Sequence, residues 1–168
     1  MTATRAYAGK FLTVEQRRAR LPGGRSITVE CVAHPGAVLI VPFLGPRRII
    51  LLRQYRPVIG SWLYELPAGT IEPGEKPLSC ARREIIEETG YRAGRIRTIG
   101  RIYPVPGYST EIISMYAAER LTPVGMACED DEVIEPLVCT KKEVRELLAR
   151  GRLVDAKTIC ALAVCGWL

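Results

Sequence analysis

The sequence predicts an α/β domain preceded by a small antiparallel β extension, and three observations lead there. Residues 10–20 and 25–33 read as strands on either side of Leu21-Pro22-Gly23-Gly24, a hairpin signal, and Ile27, Val29 and Cys31 alternate with period two. Short apolar runs at 37–43 (AVLIVPF) and 48–53 (RIILLR) precede a helical pattern that opens at Pro77. Further strand runs at 95–103 and 111–118 and two late helical patterns, at 141–150 and 155–167, complete an alternation that belongs to the α/β class.

Length and composition bound the reading. At 168 residues, 48% hydrophobic and 25% charged, one domain with a sizeable core is the expectation. No apolar run approaches the roughly 18 residues of a membrane span, and the opening MTATRAYAGK lacks a signal-peptide core, which points to the cytoplasm. The net charge is +6, and arginine greatly outnumbers lysine. The arginines are scattered, with no basic helix interleaved with aromatics, which argues against nucleic acid as a partner. A positive field that gathers small phosphorylated substrates fits better. Six cysteines, at 31, 80, 128, 139, 160 and 165, form no CxxC pair, so no zinc site is indicated. The chain has no asparagine and only two glutamines, a depletion found in hyperthermophiles, whose intracellular proteins tolerate disulfides. One or two disulfides are compatible with this, with the pairing open.

The stretch 69–91, GTIEPGEKPLSCARREIIEETGY, carries the chemistry. Gly69 and Gly74 frame a loop, Pro73-Gly74 marks a turn, Pro77 suits a first helical turn and Gly90 a helix stop. Leu78, Ala81 and Ile85 recur at helical spacing toward a core. Glu84, Glu87 and Glu88 fall at i, i+3 and i+4 and crowd the other side, where like charges destabilise a bare helix. Arg83, four before Glu87, offsets part of that charge. The remaining hard oxygen donors suit Mg²⁺ or Mn²⁺. Read alone, such an acidic run is a solvated helix face; the glycine-framed loop at fixed spacing favours a site.

Gly69, five residues to Glu75, then seven to Arg83-Glu84-Ile85-Ile86-Glu87-Glu88-Thr89-Gly90-Tyr91 resembles the Nudix box position for position, except that Tyr91 stands at a site usually aliphatic. The flanks resemble the ADP-ribose pyrophosphatase subgroup. The resemblance implies a Nudix α/β/α sandwich with a mixed sheet over residues 34–168, and an N-terminal β extension, residues 1–33, that joins a partner subunit in a homodimer. It implies divalent-metal-dependent hydrolysis of a nucleoside diphosphate sugar, ADP-ribose to AMP and ribose 5-phosphate. The metal, Mg²⁺ or Mn²⁺, would be held by Glu84, Glu88 and the Ala68 carbonyl, with Glu87 completing or backing the set and Arg83 orienting the glutamates.

The same resemblance assigns the flanking residues. Arg56, twelve before Ala68, is a diphosphate ligand, for which a planar fork of donors is suited. Glu65 contacts substrate. Pro67 should end or bulge its strand, because it cannot donate a ladder bond. Pro106, sixteen past Gly90, with Gly107 and Glu111 after it, resembles the subgroup's marker and places Gly107 and Glu111 at the substrate. A loop at 121–128 leads to the acidic run 129–132, and Glu132-Val133-Ile134-Glu135 matches the setting of the general base. Glu132 is the first choice and Asp130 the second. Thr140 with Glu143 is a capping box, and the Asp-x-Lys-Thr at 155–158 recurs in the family. His34, the only histidine, reads as a hydrogen-bonded turn residue.

One departure bears on substrate choice. Many relatives sandwich adenine between aromatics of the N-terminal strands, yet residues 26–33 hold none, leaving only Tyr7 and Phe11 near them in sequence. Another nucleoside diphosphate sugar or an oxidised nucleotide is the alternative within the class. A non-catalytic ADP-ribose sensor is the alternative outside it, disfavoured because every box glutamate is intact.

Overall fold

The computed structural model describes residues 3–9, 12–126 and 132–168. In chain order the elements are β1 (Ala3–Ala8), β2 (Thr13–Arg20), β3 (Ser26–Ala33), β4 (Ala37–Pro42), β5 (Arg48–Arg56), β6 (Ser61–Glu65), β7 (Ala68–Thr70), α1 (Pro77–Thr89), β8 (Tyr91–Ile102), β9 (Ile113–Pro123), β10 (Ile134–Thr140), α2 (Lys141–Ala149) and α3 (Ala156–Val164).

A four-stranded mixed sheet, β7-β4-β9-β8, forms the centre, with β4 and β9 parallel and the other pairs antiparallel. Strand β4 is buried along its whole length, as a run of apolar residues with both faces covered should be. Its Val38 and Ile40 pack toward α1 with Cys80, Ala81, Ile85, Ala93, Tyr116 and Ala118. Its Ala37, Leu39 and Val41 join the second core cluster, which includes Leu51, Met115, Val144 and Leu162. The antiparallel sheet β10-β5-β6 and helices α2 and α3 thus cover the side opposite α1. This is the expected α/β/α sandwich with a mixed sheet. The third sheet, β1-β2-β3, is antiparallel and involves only the N-terminal segment. It is tied to the rest by Val32, whose N–H donates to the Tyr108 carbonyl at 2.8 Å and whose carbonyl accepts from Thr110 N–H at 3.0 Å.

Several elements differ in extent from the sequence reading. Strand β9 continues through Leu121 to Pro123, where a loop was expected, because the β8–β9 ladder runs from Ile102 opposite Ile113 to Tyr91 opposite Pro123. Pairing with β4 stops at Ala118, so Pro123, which lacks an N–H, sits where the strand's other edge is unpaired. For the same reason β8 begins at Tyr91 rather than at 95. Strand β5 runs to Arg56, and β10 is a seven-residue strand along β5 rather than a short one. Helix α3 stops at Val164, since Gly166 is left-handed (φ 67°), and the turn seats Trp167 edge-on against Phe43 at 5.9 Å. Leu78, expected in the core, is 43% exposed; Cys80, Ala81 and Ile85 form the buried face of α1. Cys31, Cys80, Cys139, Cys160 and Cys165 are free thiols, so no disulfide joins them; Cys128 and Phe11 lie outside the described residues.

Candidate active site

The polypeptide breaks at Leu66-Pro67, between β6 and β7, as Pro67 requires. The Pro67 carbonyl accepts from Ile40 N–H at 2.8 Å, and β7 then pairs with β4. This places Ala68 and Gly69 directly over α1. An added Cβ on Gly69 would lie 1.7 Å from Glu84 Oε1, so the glycine is needed for the carboxylate to lie beneath the strand. Gly69→Ala should therefore displace Glu84 and lower kcat/KM by about 100-fold, as an ångström-scale misplacement does, with the helix content unchanged. Turnover within a few-fold of wild type would show that the close packing of Gly69 on Glu84 is dispensable.

The acidic face of α1 is less solvated than its pattern suggested. Glu84 is 8% and Glu88 2% exposed. Glu88 Oε2 accepts from Ala68 N–H at 2.9 Å. Burial raises the Glu84 pKa to about 7 against the pull of Arg83, with Glu87 and Glu132 adding to the rise. Burial likewise lifts Glu88 well above the ordinary carboxylate range, opposed by the Ala68 N–H and reinforced by Glu84 and Glu132. Glu132 is thus within electrostatic reach of both.

Arg83 organises the rim. Its Nη1 donates to Glu84 Oε1 at 2.7 Å and Glu87 Oε2 at 2.8 Å. Its Nε and Nη2 each donate to Glu75 at 3.1 Å, which holds that carboxyl down at about 2. The i, i+4 pair read from the sequence is present, inside a wider fork that also closes the loop onto the helix.

A cleft of about 470 Å³ gathers most of the expected residues: Arg56, Ala68, Arg83, Glu84, Glu87 and Glu132 all line it. Glu111 lines an adjoining cavity of about 210 Å³. Gly107 sits in the turn before Ser109 and lines neither cavity. Asp130 lies outside the described residues. His34 is a turn residue as expected: its Nδ1 accepts from Gly36 N–H at 3.0 Å, which turns Nε2 toward Glu111, 4.0 Å away.

Glu65 has a position that the sequence did not indicate. It is 1% exposed, and both oxygens are engaged. Arg56 donates to it twice, at 2.8 and 2.7 Å, and Lys157 Nζ donates at 2.5 Å. Desolvation pushes this carboxyl up, but Arg56 and Lys157 outweigh it and hold it low. The tetrapeptide 155–158 explains itself here. Asp155 caps α3 through Thr158 N–H at 3.1 Å and accepts from Lys157 at 2.9 Å. The fully buried Thr158 hydroxyl accepts from Leu66 N–H at 2.8 Å, clasping α3 to the β6–β7 break. Lys157 was missed because its partner is 92 positions away. The Asp-x-Lys-Thr pattern was the available signal.

Among the described residues no three acidic, histidine or cysteine side chains stand close enough to hold a metal ion as they are. The donor set nonetheless suits one. Two desolvated carboxylates repel each other and Glu132, a charge excess that a divalent cation relieves.

The NUDIX domain family model matches residues 33–162. The ADP-ribose pyrophosphatase of Bacillus subtilis (strain 168) is 34% identical over 93% of this chain and 85% of its own length. The methanol dehydrogenase activator of Bacillus methanolicus is 31% identical over the same shares, 93% and 85%. The crystal structure of an ADP compounds hydrolase superposes with a TM-score of 0.83 at 23% identity, covering 98% of this chain and 90% of that one, which bears on the fold alone. With the box glutamates gathered under Gly69 and the family model spanning most of the chain, this protein belongs to the NUDIX domain family.

Proposed function

We infer that this protein is a Nudix pyrophosphohydrolase that hydrolyses the diphosphate of ADP-ribose to AMP and ribose 5-phosphate, with Mg²⁺ or Mn²⁺ as cofactor. The single observation that supports it most is the cleft itself, lined by the desolvated Glu84 together with Glu87, Glu132 and Arg56, with buried Glu88 bonded to the Ala68 N–H at its edge. The name borne by the Bacillus subtilis relative supports the choice of substrate.

Glu84, Glu88 and the Ala68 carbonyl, with Glu87 beside them, are the groups that would hold the metal. Bound there, a divalent cation neutralises diphosphate oxygens and lowers the pKa of water. Arg56 holds the diphosphate through the donors that Glu65 leaves free. Glu65 itself, buried behind Arg56, is a positioning residue rather than a substrate contact. Arg83 keeps Glu84 and Glu87 in place, and Glu132 takes the proton from the attacking water. Glu111 bounds the far side of the substrate from the adjoining cavity, whereas Gly107, outside both cavities, shapes only the turn before it.

The test is incubation of purified protein with ADP-ribose, with Mg²⁺ or with a chelator. AMP and ribose 5-phosphate, read by mass spectrometry, are expected only with the metal. Absence of AMP under both conditions overturns the reading. A second substrate class, another nucleoside diphosphate sugar, is favoured by one observation: β2 and β3 carry no aromatic side chain to stack on adenine. A panel including GDP-mannose separates the two.

Residues 1–33 serve as a dimerising extension in this reading, and 34–168 as the hydrolase domain. Strand β1 is exposed at all six positions, and a three-stranded sheet of this size is marginal without a covering surface. Light scattering at micromolar concentration should give twice the 18.6 kDa chain mass, and deletion of 1–33 should leave a monomer of the shortened chain. A monomeric full-length chain overturns this. The reading places the enzyme in the cytoplasm of a thermophile; among the described residues no helix is long and apolar enough to cross a membrane.

A further inference from the structure

We propose that Lys157 is a second phosphate ligand of the substrate, and that the 210 Å³ cavity it borders is the subsite for the sugar-phosphate half. This rests on the reading of the protein as a diphosphate hydrolase. The cavity shares Arg56, Ala68, Gly69 and Thr70 with the 470 Å³ cleft, so one ligand can occupy both. It is less than half the size of the cleft, and no aromatic side chain lines it, which suits a sugar and not a base.

Its polar lining matches a phosphorylated sugar. Arg56 and Lys157 both line the cavity, and both are braced by the buried Glu65. Arg56 has five N–H donors and spends two on Glu65; Lys157 has three and spends one on Glu65 and one on Asp155. That leaves donors on both cations for an anion, held in place before it arrives. Holding two cations side by side is costly unless a carboxylate lies behind them or an anion in front. Glu111, also in the cavity's lining, offers carboxylate oxygens, the acceptors that sugar hydroxyls need. Its side chain is 23% exposed, with His34 Nε2 4.0 Å away to limit its motion.

The competing role for Lys157 is structural, as a brace for Glu65 alone. The two roles separate in binding. Ribose 5-phosphate and AMP are titrated calorimetrically into wild type, Lys157→Gln and Lys157→Arg in the presence of Mg²⁺, with the melting temperature recorded for each. Lys157→Gln should weaken ribose 5-phosphate by about tenfold or more, the worth of one charge-assisted hydrogen bond, and leave AMP within about twofold. Lys157→Arg should recover part of the loss. Equal weakening of both ligands together with a lowered melting temperature assigns Lys157 to the brace and overturns the proposal, as does unchanged binding of ribose 5-phosphate. Should Lys157→Gln fail to fold, wild-type crystals soaked with ribose 5-phosphate decide: phosphate within hydrogen-bonding distance of Nζ is expected, and phosphate elsewhere overturns the proposal. Neither measurement needs turnover, so a protein inactive on ADP-ribose would refute the proposed reaction without touching these outcomes.

Discussion

Glu88→Gln should abolish turnover while making the metal-free protein more stable. The activity loss should exceed the roughly 10- to 100-fold typical of residues that only support a metal ligand. The stability gain follows from the buried carboxylate. Glu88 ionises in the folded chain well above the 4.5 it has when unfolded, because burial disfavours its charge. At pH below about 4.5 the carboxyl is neutral in both states and costs nothing. As pH rises past that value the unfolded chain loses its proton first, and folding stability falls. Glutamine has no proton to lose and still accepts the Ala68 N–H. The variant should therefore match wild type near pH 4 and melt a few degrees higher at pH 8 in chelator, about 2–4 °C for each kcal/mol in a chain of this size. Adding Mg²⁺ should stabilise wild type more than the variant and narrow the gap. Near-normal turnover sinks the metal assignment, and a lower melting temperature at pH 8 in chelator sinks the electrostatic account.

Glu132→Gln should lose most of kcat and keep its affinity for substrate, since in the proposed mechanism binding rests on Arg56 and the metal. A base must reach the attacking water and need not hold the metal tightly. The low-pH loss of activity in wild type should disappear from what remains in this variant. Asp130→Asn should be the milder change. Should Asp130→Asn be inactive and Glu132→Gln active, the register of the acidic run is two residues away from this assignment. Activity in both variants moves the base elsewhere, to Glu87 or Glu111. Inactivity in both means that the carboxylates act as a unit, and single substitutions do not partition the role. What favours Glu132 beyond its pattern is its place in the cleft and its electrostatic reach to Glu84 and Glu88.

The sequence was most legible where local rules act alone. Helix α1 begins at Pro77, stops before the left-handed Gly90, and carries the Arg83–Glu87 pair, all readable from spacing. The capping box at Thr140 and Glu143 was equally local. Depth was not legible: an i, i+3, i+4 glutamate run looks solvated, whereas β7 closes over it, with Gly69 packed on Glu84 and the Ala68 N–H bonded to Glu88. Strand lengths were misjudged for a related reason. Propensity ends β9 near Ala118, whereas its partner β8 carries it on to Pro123. The residues behind Arg56 were hidden most completely, because Glu65 and Lys157 meet only when the sandwich closes.

That closure bears on how the enzyme comes to life. The bonds from Lys157 to Glu65 and from Thr158 to Leu66 each span 92 positions. Contacts so far apart in sequence form late, after the entropy of a long loop has been overcome. Until α3 docks, Glu65 lacks its second cation and the Leu66 amide its acceptor, so the Arg56–Glu65 pair is held by the β5–β6 ladder alone. Activity should therefore return in the last kinetic phase of refolding, with the docking of α3, and not with the earlier appearance of helix or sheet. In this architecture a half-folded chain has its acidic helix and its Arg56–Glu65 pair but not the Lys157 brace behind them, and the hydrolase switches on only as a whole.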